Sequence, residues 1–225
     1  MVKPEEGGVD EAGNVDPAWP ATLGGERTVK RRTLLILTVA AAALIFTSGL
    51  ASAATRHGTK GNDTIVGSAK AETMRGLAGD DTMRGRRGAD TMYGNDGVDH
   101  MLGGRGEDDI DGGEDSDVIS GGPGADIVYG GDGNDTLYGG NGIDAVEGGS
   151  GNDTLYGGRS GDGVADYDGN NTLTGGPGRD RIFVGSGTNH VNTKDGNEDF
   201  ICVEDPAATT INLDEQDRVY EGTCI

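Results

Sequence analysis

GGDGNDTLYGGNGIDAVEGGSGNDTLYGG, residues 130–158, repeats one nine-residue phrase. GGxGNDTLYGG begins at Gly130 and recurs at Gly148, with a looser copy from Gly139 between them. Within a copy, positions 1 to 6 (Gly130-Gly131-Asp132-Gly133-Asn134-Asp135) are turn-forming residues. Glycine permits positive φ and close backbone approach, and Asn and Asp favour tight turns. Positions 7 to 9 (Thr136-Leu137-Tyr138) place one apolar side chain between two outward ones, the pattern of a very short strand.

The frame extends outward in both directions. From Gly58 to Ile201 the chain divides into sixteen successive nonapeptides with no insertion or deletion. Position 8 is apolar throughout, from Ile65, Met74, Met83, Met92 and Met101 to Ile182, Val191 and Phe200. Position 1 is Gly in thirteen copies, position 4 is Gly in thirteen, and position 6 is Asp in twelve. A fixed period of this length marks a stacked repeat architecture. One inward residue in nine cannot bury itself, but stacked units join those residues into a continuous ladder.

Composition sets the conditions for such a stack. Of 225 residues, 44 are Gly and 33% are hydrophobic, and the formal net charge is −21. Composition alone favours disorder unless something supplies positive charge. The same charge argues against nucleic acid and anionic membrane as partners.

The repeat resembles the hemolysin-type, or repeats-in-toxin (RTX), calcium-binding nonapeptide G-G-x-G-x-D-x-U-x over residues 58–201. The resemblance implies an all-β fold, a parallel β-roll with two nonapeptides per coil. It also implies calcium ions between turns stacked on one side, held by position-6 carboxylates and backbone carbonyls. All-oxygen ligation of irregular geometry suits calcium better than magnesium.

On that geometry the position-6 residues fall into two files, each with an eighteen-residue step. One runs Asp63, Asp81, Asp99, Asp117, Asp135, Asp153, then Asn171 and Asn189. The other runs Glu72, Asp90, Asp108, Asp126, Asp144, Asp162, Asp180, then Glu198. Each file holds six consecutive Asp and five gaps between them, so on the order of ten calcium ions is the expectation. Eight two-strand coils at a ~4.8 Å spacing make a rod roughly 38 Å long. The competing reading takes the aspartates as turn formers and solubilising charge. Two files of closely stacked carboxylates without a cation would repel strongly. Coupling of folding to the ion follows, with affinities of ~10⁻⁴ to 10⁻³ M typical of extracellular sites.

Departures cluster in places. Lys70 and Glu72 mark the second unit, and Asp115 and Ser160 replace position-4 glycines. Residues 157–176 keep register but lose several Gly, and Asp166, Asp168, Asn170 and Asn171 there either bind calcium differently or weaken the stack.

The ends read differently. Arg27, Lys30, Arg31 and Arg32 precede an apolar run, residues 33–50, and Ala51-Ser52-Ala53 follows. This is the pattern of an export leader cut after Ala53, with an uncleaved membrane anchor as the alternative. Arg31-Arg32 also fits a loose twin-arginine signal, and the acidic stretch before Arg27 raises a translation start near Val29. Removing residues 1–53 leaves 13 basic and 33 acidic residues. Residues 54–57 read as a short linker. The only two cysteines, Cys202 and Cys224, lie in a glycine-poor segment, 202–225, that reads as a disulfide-closed C-terminal cap, with free thiols as the alternative. Such a bond is worth roughly 3 kcal/mol on the chain-entropy model. Thr210–Leu213 and Arg218–Tyr220 read as two further strands covering an otherwise open edge.

His57, His100 and His190 are scattered, and H-E-x-x-H, G-x-S-x-G and G-K-[ST] motifs do not occur. The sequence therefore reads as a non-enzymatic, secreted calcium-binding roll with a structural, envelope or matrix role. The alternative is an adhesion or glycan-binding protein that uses the roll as a calcium-stiffened face, with outward Tyr138 and Tyr156 as a sugar platform. A cross-strand tyrosine ladder is more often only structural.

Overall fold

The computed structural model describes residues 54–222, and these form nineteen strands joined by turns, with no helix among them. The leader reading of residues 1–53 and Cys224 lie outside the described residues. In chain order the strands begin with β1 (Ala54–His57), β2 (Thr64–Val66), β3 (Glu72–Ala78), β4 (Thr82–Arg87), β5 (Thr91–Asp96) and β6 (His100–Arg105). Next come β7 (Asp109–Glu114), β8 (Val118–Pro123), β9 (Ile127–Asp132), β10 (Thr136–Asn141), β11 (Ala145–Ser150) and β12 (Thr154–Arg159). The last are β13 (Gly163–Asp166), β14 (Thr172–Thr174), β15 (Arg181–Val184), β16 (His190–Asn192), β17 (Phe200–Val203), β18 (Thr210–Asn212) and β19 (Arg218–Glu221).

Odd-numbered strands form one ten-stranded parallel sheet and even-numbered strands a nine-stranded one. Each strand pairs with the strand two further on, and as far as β16 the register advances by eighteen residues: Thr136 faces Thr154, Leu137 faces Leu155 and Tyr138 faces Tyr156. The chain is therefore a parallel β-solenoid of about nine turns, two nonapeptides to a turn. The count exceeds the eight expected because the sheets extend beyond the repeat frame. Ala54–His57, read from sequence as a linker, is strand β1 and pairs with β3. At the other end β18 and β19 lie where sequence placed them, on β16 and β17.

The core is a single ladder between the sheets, and every position-8 residue from Ile65 to Val191 belongs to it. The central strands are longer than three residues: β10 continues through Gly139-Gly140-Asn141. Position 1 stays inside, and the narrow space between the sheets takes a bare Cα there, as at buried Gly139.

Near the C-terminal end the frame slips. Arg181 pairs with Phe200 and Ile182 with Ile201, a nineteen-residue step. One extra residue lies between Val191 and Ile201, so Ile201 takes the core position expected for Phe200. Phe200 turns half outward and stacks on Tyr220, ring centroids 5.5 Å apart.

Candidate metal centre

Each position-6 carboxylate has two oxygens with different fates. One, Oδ1, accepts a hydrogen bond from the backbone N–H of the position-6 residue one coil earlier. Asp63 N–H donates to Asp81, Asp81 to Asp99, Asp99 to Asp117, Asp117 to Asp135 and Asp135 to Asp153, at 2.7 to 2.8 Å. The second file repeats this from Glu72 through Asp90, Asp108, Asp126, Asp144 and Asp162 to Asp180, at 2.8 to 2.9 Å. Both files expected from sequence thus exist as continuous ladders.

The other oxygen has no partner. Oδ2 of Asp81, Asp90, Asp99, Asp108, Asp117, Asp126, Asp135, Asp144, Asp153, Asp162 and Asp180 is buried and unbonded, eleven of the twelve predicted carboxylates. Asp63 is the exception, because the Thr59 N–H and hydroxyl donate to its Oδ2. At the head of the other file, Glu72 is ion-paired with Arg56 at 2.8 Å. An unpaired buried acceptor costs about 1–3 kcal/mol, more when charged, and a cation would satisfy all eleven.

The surroundings fit a cation. A Cβ built on Gly103 would lie 2.5 Å from Asp108 Oδ2 and 2.8 Å from the Gly121 carbonyl oxygen. The position-1 glycine therefore leaves open a cradle where a carboxylate of one coil and a carbonyl of the next converge. Asp117 and Gly130 repeat this around Gly112, and Asp126 and Gly139 around Gly121. No three carboxylate, His or Cys side chains converge among the described residues, so a cation here would draw its remaining ligands from main-chain carbonyls. Oxygen-only ligation of that kind is calcium chemistry.

The exceptions carry the same message. Position 6 is Asn at Asn171 and Asn189, and in both copies position 1 is no longer Gly but Asp166 and Val184. Where the file loses its charge, a side chain occupies the cradle. Asn171 still accepts the ladder bond from Asp153 N–H, at 2.8 Å. Asp166 is buried, reaches over Gly148 beside Asp153, and has an unbonded Oδ2. Burial and the neighbouring Asp153 push the Asp166 carboxyl far above the ordinary range. Asp166 thus returns to that coil a carboxylate that Asn171 gave up.

Sequence reasoning placed Glu198 at the end of the second file, and the structure replaces it. The nineteen-residue step sets Asp199 there, accepting from Asp180 N–H at 2.8 Å, with its own Oδ2 buried and unbonded. Asp199 N–H in turn donates to Asp217 at 3.1 Å. Glu198 instead points outward between Arg179 and Arg218.

Burial raises these carboxyls well above the carboxylate range, with neighbouring acids adding to it and the ladder N–H opposing. Asp117 and Asp162 are pushed to about 8, and Asp99, Asp126 and Asp180 to about 7. The metal-free fold thus holds more protons than the unfolded chain. The stability these groups contribute is fully present below the ordinary Asp value near 3.8 and is lost as pH rises through about 6 to 8. Metal-free protein should therefore show more β structure by circular dichroism near pH 5 than near pH 8. An equal β signal at the two pH values would contradict the burial of these groups.

A family model described as RTX calcium-binding nonapeptide repeat matches residues 57–92, 75–110, 93–128, 102–137, 111–146, 138–164 and 167–197. No curated relative matches the chain.

Proposed function

Since the chain belongs to the RTX calcium-binding nonapeptide repeat family, we propose that it is a secreted structural module that folds on binding about ten calcium ions outside the cell. One observation carries this reading: the buried, unbonded Oδ2 atoms stand in two files beside glycine cradles. Each gap then takes one ion, held by Oδ2 atoms of adjacent coils and by the carbonyls around the cradle. The ions also balance charge, because a chain at −21 needs cations to stack its acids. An export leader over residues 1–53 and the ~10⁻⁴ to 10⁻³ M affinities typical of extracellular sites fit the same picture. The role is that of a stiff envelope or matrix element rather than a catalyst, as histidines and nucleophiles form no recognisable constellation in the sequence.

We also assign Cys202 and Cys224 to one disulfide. Cys202 lies on β17 and pairs in register with Tyr220 of β19, four residues ahead of Cys224 in the chain. Closing that loop would hold the final strands on the end of the stack.

Asp135→Asn tests the sites separately from the ladder. The amide retains the Oδ1 that accepts from Asp117 N–H, as Asn171 Oδ1 accepts from Asp153, and removes one charge. Equilibrium dialysis against calcium should give about ten ions per chain for the parent and about two fewer for the variant, since two gaps share Asp135. The calcium midpoint of folding should rise several-fold. An unchanged ion count would remove the carboxylate files as the sites.

A further inference from the structure

Over the central coils the two outer faces of the roll carry opposite charge. Strands β4, β6, β8, β10 and β12 contain Arg84, Arg86, Arg87, Arg105 and Arg159 and no acidic residue. The strands behind them, β5, β7, β9 and β11, contain Asp96, Asp109, Asp111, Glu114, Asp132 and Glu147 and no basic one. In a chain at −21 this is a cationic face. None of its five arginines makes an ion pair among the described residues.

On the same face one column of outward side chains has a missing rung. Register places Arg84, Leu102, Ser120, Tyr138 and Tyr156 side by side on successive strands. Tyr138 and Tyr156 stack with ring centroids 4.9 Å apart and planes within 4°. Their spacing is one strand step, so the free side of Tyr138 faces the place where Ser120 supplies no ring. Leu102, 43% exposed, closes the far side two steps away. The opening is a notch of about 260 Å³ lined by Tyr138, Leu102, Ser120 and Val118, with Arg84, Thr82 and His100 along its rim.

We infer that this notch binds a pyranose ring of an acidic polysaccharide. A sugar ring presents an apolar C–H face for Tyr138 and Leu102 and a hydroxyl edge for Ser120, Thr82 and His100. Its carboxylate meets Arg84, whose planar fork suits a bidentate pair, and the following sugars run toward Arg87 and Arg105, register partners on adjacent strands. A nucleic acid is the poorer fit, because it carries a charge on every nucleotide, whereas a polysaccharide with one uronate in two sugars carries fewer and meets less repulsion from the net negative chain. The site requires the folded roll and is otherwise independent of how many ions hold it.

Titration calorimetry of the full chain in millimolar calcium tests the notch, with hyaluronan hexasaccharide as probe and chitohexaose and oligothymidylate as comparisons. Ser120→Tyr is the decisive variant, since it adds the missing rung in the manner of Tyr138 and Tyr156 and so preserves the stack. The expected result is binding of the uronate sugar alone, abolished in Ser120→Tyr and weakened about tenfold in Arg84→Ala and in Tyr138→Ala. No binding, binding unchanged in Ser120→Tyr, or equal or tighter binding of chitohexaose or oligothymidylate would overturn the inference. Each titration is read where circular dichroism shows the β signal, which separates a failed notch from a failed roll.

Discussion

Withdrawal of calcium at about pH 7.5 should abolish the roll and leave a chain with a coil-like far-UV circular dichroism spectrum. The apolar core is one ladder of side chains, one to a strand over most of its length, and few other apolar groups are buried. Such a core offers little to set against the entropy of ordering about 1–2 kcal/mol per residue. Against it stand eleven predicted carboxylates with a buried, unpaired oxygen, joined by Asp166 and Asp199. Near neutrality burial and mutual repulsion force these groups to take up protons or separate. Calcium removes both difficulties at once. Magnesium should restore little, since it requires near-octahedral ligands at short distance and releases its waters reluctantly. Titration with each ion, followed by circular dichroism, decides the matter. A β spectrum that persists in chelator at this pH would show that the stack stands without metal.

Gly121→Val should be nearly as damaging, with a loss of about 3 kcal/mol or more and at least one ion. A Cβ on Gly121 would come within 2.6 Å of Asp126 Oδ2 and 2.8 Å of the Gly139 carbonyl. The oxygens that surround it are the ones assigned to the ion, and the carbonyl belongs to a paired strand and cannot swing aside. The chain itself carries Val at this position once, at Val184, and there Asn189 replaces the aspartate. Gly61→Ala is the control, because a Cβ there meets nothing within 4 Å. It should be neutral or stabilising by about 0.5 kcal/mol. Thermal melts in saturating calcium distinguish the two, and similar melting temperatures would deny that the cradle is occupied.

The sequence yielded the period, the core ladder and both carboxylate files because each is restated in copy after copy. What it concealed were events that happen once. The extra residue before Ile201 is invisible in the text, since Phe200 satisfies the apolar position and Glu198 the acidic one. Only pairing with β15 shows that Ile201 and Asp199 hold those places. Strand β1 escaped notice because four residues have no period, and their partner β3 lies eighteen residues on. The division of charge between faces needs the alternation of strands between two sheets before it can be seen. The pairing of Gly at position 1 with Asp at position 6 was legible in principle, as the two Asn copies break both together. Its meaning required the cradle.

The carboxylate ladder has a direction. In every rung the N–H belongs to the earlier coil and the oxygen to the later one, from Asp63 and Asp81 through to Asp199 and Asp217. At position 6 each coil is therefore finished by its successor, while the next N–H along, as from Thr82 to the Asp63 carbonyl and from His100 to the Asp81 carbonyl, is satisfied by its predecessor. A chain that emerges with its N-terminus leading would present, at every moment, one newest coil whose buried N–H still waits for the next eighteen residues. The stack can close behind the emerging end only as fast as the chain is delivered, and the waiting stops at Asn189 in one file and at Asp217 in the other.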